Sequence, residues 1–137
     1  MNDEMDLQSG LNLKGKKLLI VEDNFISAQL YKGMLEETGI EITYALTTKS
    51  AIEIIRNSGK FDVVLLDIQL PDMNGLEAAK VIKIKSPSTP IIVQTAFAFD
   101  NYKAKSKEVG CDYFLSKPIN YNDLFDILFK IFKQPRI

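Results

Sequence analysis

Polar residues able to do chemistry stand where short apolar runs stop. Glu22 and Asp23 follow Lys17–Val21 (KLLIV), and Asp67 follows residues 61–66 (FDVVLL). Gln94 and Thr95 follow residues 90–93 (PIIV), and Lys117 comes shortly after residues 112–115 (DYFL). If the first and third runs lie side by side, the carboxylates of Glu22, Asp23 and Asp67 converge. Each close like-charge pair then costs up to about 4 kcal/mol at roughly 4 Å and an effective dielectric near 20, so the site needs a cation. The chain has no histidine and a single cysteine, so the ligands are oxygens and the ion is a hard one, Mg²⁺ or Mn²⁺. A lysine and a threonine on the same rim supply a fixed positive charge and a hydroxyl, which the equatorial oxygens of a transferred phosphoryl group require. Asp67 is left as the nucleophile, a carboxylate able to form an aspartyl phosphate.

The apolar runs are short, rich in β-branched residues and bounded by polar ones, as strands covered on both faces are. Lys17–Val21, 61–66 and 90–93 are the expected central strands. Glu41–Ala45 (EITYA) alternates polar and apolar residues and 112–115 is very short, so both suit sheet edges. Helical stretches lie between them: 24–38 closed by Gly39, Thr48–Asn57 closed by Gly59, Gly75–Lys85 ended by Ser86-Pro87, and 101–109 closed by Gly110. The last segment carries Leu124, Ile127, Leu128 and Ile131 at helical spacing, with Asn120 as its N-cap. Alternating strands and helices predict a doubly wound α/β fold, a parallel sheet with helices on both faces. In such a sheet the ligand sits beyond the carboxyl ends of the strands, the rim on which every polar candidate falls.

Composition narrows the function classes. With 137 residues, 46% of them hydrophobic and 26% charged, the chain suits one globular domain. Seventeen Lys and Arg against eighteen Asp and Glu leave a formal charge of -1, which draws it neither to nucleic acid nor to anionic lipid. The absent histidine removes Ser-His and Cys-His catalytic pairs. Cys111 has no partner for an internal disulfide, and the reducing cytosol is its expected setting. The polar opening MNDEMDLQSG has no signal-peptide pattern, and no apolar run approaches membrane-spanning length, so a cytoplasmic location is expected.

Taken singly, each residue has an ordinary explanation as a turn former, a solvated charge or a buried threonine. The conjunction, in order and at strand ends, resembles the receiver domains of two-component response regulators. The resemblance runs from about Lys16 to Phe132. It places a receiver domain at 16–133, a flexible lead at 1–15 and a tail at 134–137. It is carried by the acidic pair in LLIVEDN (Glu22, Asp23), the acceptor in VVLLDIQLPDMNG (Asp67), the hydroxyl in IIVQTAF (Thr95) and the lysine in DYFLSKP (Lys117). It implies a flavodoxin-like (βα)5 fold of strand order 2-1-3-4-5. It also implies Mg²⁺, for which Mn²⁺ can substitute, held by Asp23, Asp67 and the Gln69 backbone carbonyl with Glu22 assisting. Asp67 would be phosphorylated by a phosphohistidine on a histidine kinase or histidine phosphotransfer domain, so that the partner supplies the imidazole this chain lacks. The domain would take part in its own phosphorylation and autodephosphorylation without a separate turnover activity.

In the family the threonine hydroxyl moves toward the phosphoryl group and an aromatic of the fifth strand turns inward behind it; Phe114 is the match. The output surface would be the fourth helix, fifth strand and fifth helix, close to Phe97, Phe99 and Tyr102. Lys117-Pro118 resembles the family's cis-prolyl junction. Gln69 and Phe97 flank the path of hydrolytic water and would tune the lifetime of the aspartyl phosphate, with the bulky Phe97 slowing hydrolysis.

Rival readings fit less well. A flavodoxin-type FMN carrier needs a Ser/Thr/Gly-rich loop after the first strand, where this chain has Glu-Asp-Asn-Phe. A metal-dependent phosphatase would want a second carboxylate two residues after the first, where this chain has Asp67-Ile68-Gln69. A phosphorylation-independent receiver-like binding module is the alternative that remains. The lead LNLKGKKLLIVEDN resembles the approach to receivers fused behind histidine kinase cores, so the chain is expected to be either a stand-alone relay protein or a piece of a hybrid kinase.

Overall fold

The computed structural model describes residues 10–68, 75–96 and 100–133, with the backbone alone for 100–102. The expectations for Gln69, Phe97 and Phe99, the Tyr102 side chain and the terminal segments 1–9 and 134–137 fall outside what is described.

The strands are β1 (Lys17–Val21), β2 (Glu41–Ala45), β3 (Val63–Asp67), β4 (Ile91–Thr95) and β5 (Tyr113–Ser116). The helices are α1 (Phe25–Leu35), α2 (Thr48–Asn57), α3 (Gly75–Lys85), α4 (Asp100–Glu108) and α5 (Tyr121–Phe132). All pairings are parallel and the order is β2-β1-β3-β4-β5, the flavodoxin-like (βα)5 arrangement. Every residue of β3 and β4 is buried, and β2 and β5 form the half-buried edges, as the run lengths predict.

Period-two alternation divides the core into two layers. Leu19, Val21, Val64, Leu66, Ile91 and Val93 meet Ala51 and Ile55 of α2 and Leu76, Ala79 and Ile82 of α3. Leu18, Ile20, Val63, Leu65 and Ile92 meet Tyr31 and Leu35 of α1 and Leu124, Phe125 and Leu128 of α5. Side-chain caps start the helices where the sequence sets them: Asn24 accepts from the Ser27 N–H at 3.0 Å and Thr47 from the Ser50 N–H at 3.0 Å. Asn120 accepts from the N–H groups of Asn122 and Asp123 at 2.7 and 3.3 Å.

The structure departs from the sequence expectations at several ends. α1 stops at Leu35 and continues as a 3₁₀ turn, Glu36–Thr38, because the Thr38 hydroxyl turns back onto the Leu35 carbonyl at 2.6 Å. Gly39 then reverses the chain at a φ of 78°, which a side chain would resist. α2 ends on extended Ser58 rather than on Gly59. Strands β3 and β4 continue through Asp67 and Thr95, because the ladder pairs Asp67 with Gln94 and Thr95 with Ser116; the reactive groups end the strands instead of following them. Leu11 and Leu13, placed by the sequence in a flexible lead, are buried against the α1–α5 layer. The Leu13 N–H donates to the Thr38 carbonyl at 2.7 Å, so burial and a backbone bond tie this segment down. Among the described residues no helix is long and apolar enough to cross a membrane.

Candidate functional site

Glu22 is the first residue past β1. Its N–H donates to the Ala45 carbonyl at 3.0 Å, which continues the β1–β2 ladder one step and fixes its direction. Because Val21 pairs with Leu66, Glu22 stands beside Asp67, and both side chains are buried. Asp23 follows in the turn before α1 and is exposed. These three carboxylates offer oxygens that all lie within 4.8 Å of one another.

Lys117 reaches this acidic cluster from the far side of the sheet. Its N–H donates to the Thr95 carbonyl at 2.8 Å, extending the β4–β5 ladder beyond Ser116, and its peptide bond to Pro118 is cis. Its Nζ donates to Glu22 Oε1 at 2.8 Å and to Asp67 Oδ2 at 2.7 Å, joining residues 95 and 50 positions away in sequence. Both are charge-assisted bonds.

Burial pushes the Glu22 carboxyl up to about 7, with the Asp67 carboxylate adding to the rise and Lys117 opposing it. Burial works against the Lys117 ammonium, but its bonds to Asp67 and Glu22 outweigh that and raise its pKa above the ordinary lysine value. Lys117 is therefore a permanent cation, and burial favours the neutral form of Glu22. An all-oxygen donor set, two of its three members buried and crowded at this distance, is of the kind that suits a hard divalent cation.

Of the other expected residues, Thr95 lies at the same end of the sheet and Phe114 is the second residue of β5. Thr95 is buried at the end of β4, opposite Ser116. Phe114 is half-buried, two residues before Ser116, against the α2–α3 layer. It lines a cavity of about 210 Å³ with Lys103, Lys107, Cys111 and Tyr113. Gly75, the first residue of α3, approaches the end of β3 so closely that a Cβ there would meet the Asp67 carbonyl oxygen at 2.5 Å.

Two residues of the site escaped the sequence reading. Tyr31 on α1 donates its hydroxyl to Gln94 Oε1, and both are buried. Gln94 was legible only as the residue that ends an apolar run, and Tyr31 only as part of a helix. A polar side chain at a position the neighbouring pattern marks as interior was the available signal.

The family model described as the response regulator receiver domain matches residues 18–129. A hybrid signal transduction histidine kinase L from Dictyostelium discoideum is 35% identical over 125 residues, covering 86% of this chain and 7% of that protein. The chain thus spans a small fraction of that relative's length. The polar-differentiation response regulator DivK of Brucella ovis is 34% identical over 107 residues, 77% of this chain and 86% of DivK. The crystal structure of a CheY-like receiver domain protein from Methanospirillum hungatei superposes with a TM-score of 0.80 at 32% identity, covering 87% of this chain and 95% of that one. A two-component response regulator from Clostridium difficile gives 0.81 at 32% identity, with 86% and 96% covered.

Proposed function

Because the chain belongs to the response regulator receiver family, we propose that Asp67 is its phosphoacceptor and that the donor is a phosphohistidine of a histidine kinase or histidine phosphotransfer domain. The observation that carries this reading is the Lys117 ammonium seated on both Glu22 and Asp67, within a cluster of three carboxylates at the carboxyl ends of a parallel sheet. An Asp67 oxygen attacks phosphorus, the phosphorus–nitrogen bond of the donor breaks, and its electron pair returns to the imidazole, which takes up a proton. Lys117 exchanges its carboxylate partners for a phosphoryl oxygen, and Thr95 supplies a hydroxyl to another. Asp23, Asp67 and the Gln69 carbonyl, with Glu22 assisting, are the residues that would hold Mg²⁺ or Mn²⁺. When bound, the ion neutralises charge on the transferred group.

Partner surfaces follow from the same geometry. The donor must reach Asp67 over the strand ends, where α1 begins and exposes Phe25, Ile26 and Leu30, apolar groups that suit a protein partner. Movement of Thr95 and Phe114 would bias the α4–β5–α5 surface toward a downstream partner. Contact with nucleic acid or membrane and a separate turnover activity have no place in this reading, and its setting is the cytoplasm. Phe97 retards hydrolysis of the aspartyl phosphate, so Phe97→Ala shortens its lifetime.

The test is intact mass with acetyl phosphate or phosphoramidate, with and without Mg²⁺. One labile phosphoryl group, absent from Asp67→Asn and blocked by chelator, is the expected result. No gain with either donor, together with no Mg²⁺ binding on direct titration, overturns the reading in favour of a phosphorylation-independent binding module.

A further inference from the structure

Alternation along the central strands puts Glu22, Asp67 and Gln94 in one lateral row. The pairs Val64–Ile91 and Leu66–Val93 face the α2–α3 layer, and Leu65–Ile92 between them faces α1 and α5. The next pair, Asp67–Gln94, therefore faces α1 and α5 too, and Glu22 joins it one step past the Val21–Leu66 pair. Gln94 is fully buried in this row, with Asp67 on one side and Leu115 on the other.

The amide of Gln94 is held at one end only. Tyr31 reaches across from α1 and donates its hydroxyl to Oε1. Among the described residues Nε2 finds no acceptor. A buried donor without a partner costs stability, and an apolar side chain of similar length would remove that cost. Nothing in the β4 ladder requires an amide here, since Gln94 contributes to it through its backbone, for instance by accepting from the Ile68 N–H at 3.3 Å. What distinguishes the position is the carboxylate beside it. The charges of the cluster reach Tyr31 as well: burial, with Glu22 and Asp67 adding to it, pushes its hydroxyl up to about 12 against the opposing Lys117 charge and the bond to Gln94. Tyr31 and Lys117 also line one cavity of about 300 Å³, together with Ala96 and Pro118.

We propose that Gln94, oriented by Tyr31, is a positioning residue for Asp67, supplying a buried donor to its carboxylate when Lys117 turns from it to the phosphoryl group. This rests on Asp67 being the acceptor. Before reaction Lys117 supports the carboxylate. During transfer the same ammonium must serve the incoming oxygens, and a neutral amide in the adjacent strand keeps Asp67 oriented without competing for the cation or adding charge.

The experiment follows phosphorylation by acetyl phosphate with Mg²⁺ by intact mass. The Asp67 oxygen bonds to phosphorus as the bond to acetate breaks, and acetate leaves with the electron pair. The variants are Gln94→Met, which keeps length and removes the donor, Tyr31→Phe, and the two combined. Gln94→Met should lower the limiting rate at saturating donor about tenfold, the scale of one lost charge-assisted hydrogen bond. Half-saturation by donor and the Mg²⁺ affinity by calorimetry should stay within about twofold, with a thermal midpoint no lower than the parent's. Tyr31→Phe should give a smaller loss in the same limiting rate, and the double variant should be no slower than Gln94→Met, because Tyr31 acts through the amide. A Gln94→Met protein with the parent's limiting rate overturns the proposal, as does a slower rate accompanied by a matching loss of Mg²⁺ affinity or midpoint. If the parent itself takes no phosphoryl group on Asp67, the acceptor reading fails and this role falls with it; a failure confined to the variants leaves that reading intact.

Discussion

Replacing Gly75 by alanine tests how closely α3 is fitted against the end of β3. A Cβ at this position would lie 2.5 Å from the Asp67 carbonyl oxygen, 2.8 Å from Ile68 Cα and 3.3 Å from the Asp67 carbonyl carbon. All three are backbone atoms and cannot rotate away. The Gly75 N–H donates to the Ile68 carbonyl at 3.1 Å, and the Ile68 N–H to Gln94 at 3.3 Å, so the end of β3 is held from both sides. Restoring van der Waals distance requires a shift of about 1 Å, and overfilling of this kind costs about 1–3 kcal/mol. Alanine recovers about 1 kcal/mol of helix propensity, leaving a net loss of up to about 2 kcal/mol, or up to about 7 °C in Tm for a domain of this size. Gly33→Ala is the comparator. It lies within α1 with no heavy atom near its would-be Cβ, so it should stabilise by about 0.5–1 kcal/mol. Thermal unfolding followed by circular dichroism measures both, and intact-mass kinetics should show slower phosphorylation for Gly75→Ala alone, because relief of the clash moves the Asp67 backbone. A Gly75→Ala protein as stable as Gly33→Ala, with normal phosphorylation, would refute the argument.

Removing the cation should expose the buried carboxylates. In chelator, Lys117→Met is expected to lose about 2–3 kcal/mol at about pH 8, at the low end for a broken buried pair because the ammonium keeps some solvent contact. The Glu22 carboxyl is raised in the folded protein from 4.5 to about 7, so its contribution is fully present below 4.5 and is lost as pH rises through about 7. The deficit of Lys117→Met should therefore shrink at about pH 5.5, as urea midpoints will show; a larger deficit at low pH would contradict the electrostatic account. Saturating Mg²⁺ should stabilise the parent by about 2.7 kcal/mol at roughly 100 times its Kd, and Asp23→Asn should lose most of that gain; equal gains in both proteins would remove Asp23 from the ligand set. Burial, then the charge of Asp112, pushes the Cys111 thiol up to about 12, against the opposing charge of Lys83. At about pH 8 a disulfide reagent should label it only in denaturant, and prompt labelling of the native protein would show the thiol to be open.

The strands were legible because parallel strands buried on both faces must be largely apolar, and β1, β3 and β4 each carry an unbroken apolar run. Their ends were less so. Polarity marks the last apolar residue, whereas the backbone ladder runs on while a neighbour offers partners, and so Asp67 and Thr95 lie inside their strands. The burial of Leu11 and Leu13 in the lead was hidden for a similar reason. Leu11 and Leu13 alternate with Asn12 and Lys14 in a Gly-punctuated stretch, too short to announce itself, yet both are buried where α1 turns toward β2.

Within the site, Glu22, Asp23, Asp67, Thr95 and Lys117 could be picked out because each is a reactive type at a strand end, and the parallel fold gathers strand ends on one rim. Gln94 and Tyr31 carry no such mark. An amide at the end of an apolar run reads as a stop, and a tyrosine in an amphipathic helix reads as core; each reading is right as far as a single segment goes. Their meaning depends on which face of β4 carries residue 94 and which residue of β3 lies opposite. Both follow from register, and register is a property of two strands, fixed only when α3 and the β3–β4 crossover set one strand against the other. A receiver site thus has a part written in residue types and a part written in pairing. The second is open to test through side chains whose removal should slow phosphoryl transfer without weakening the fold.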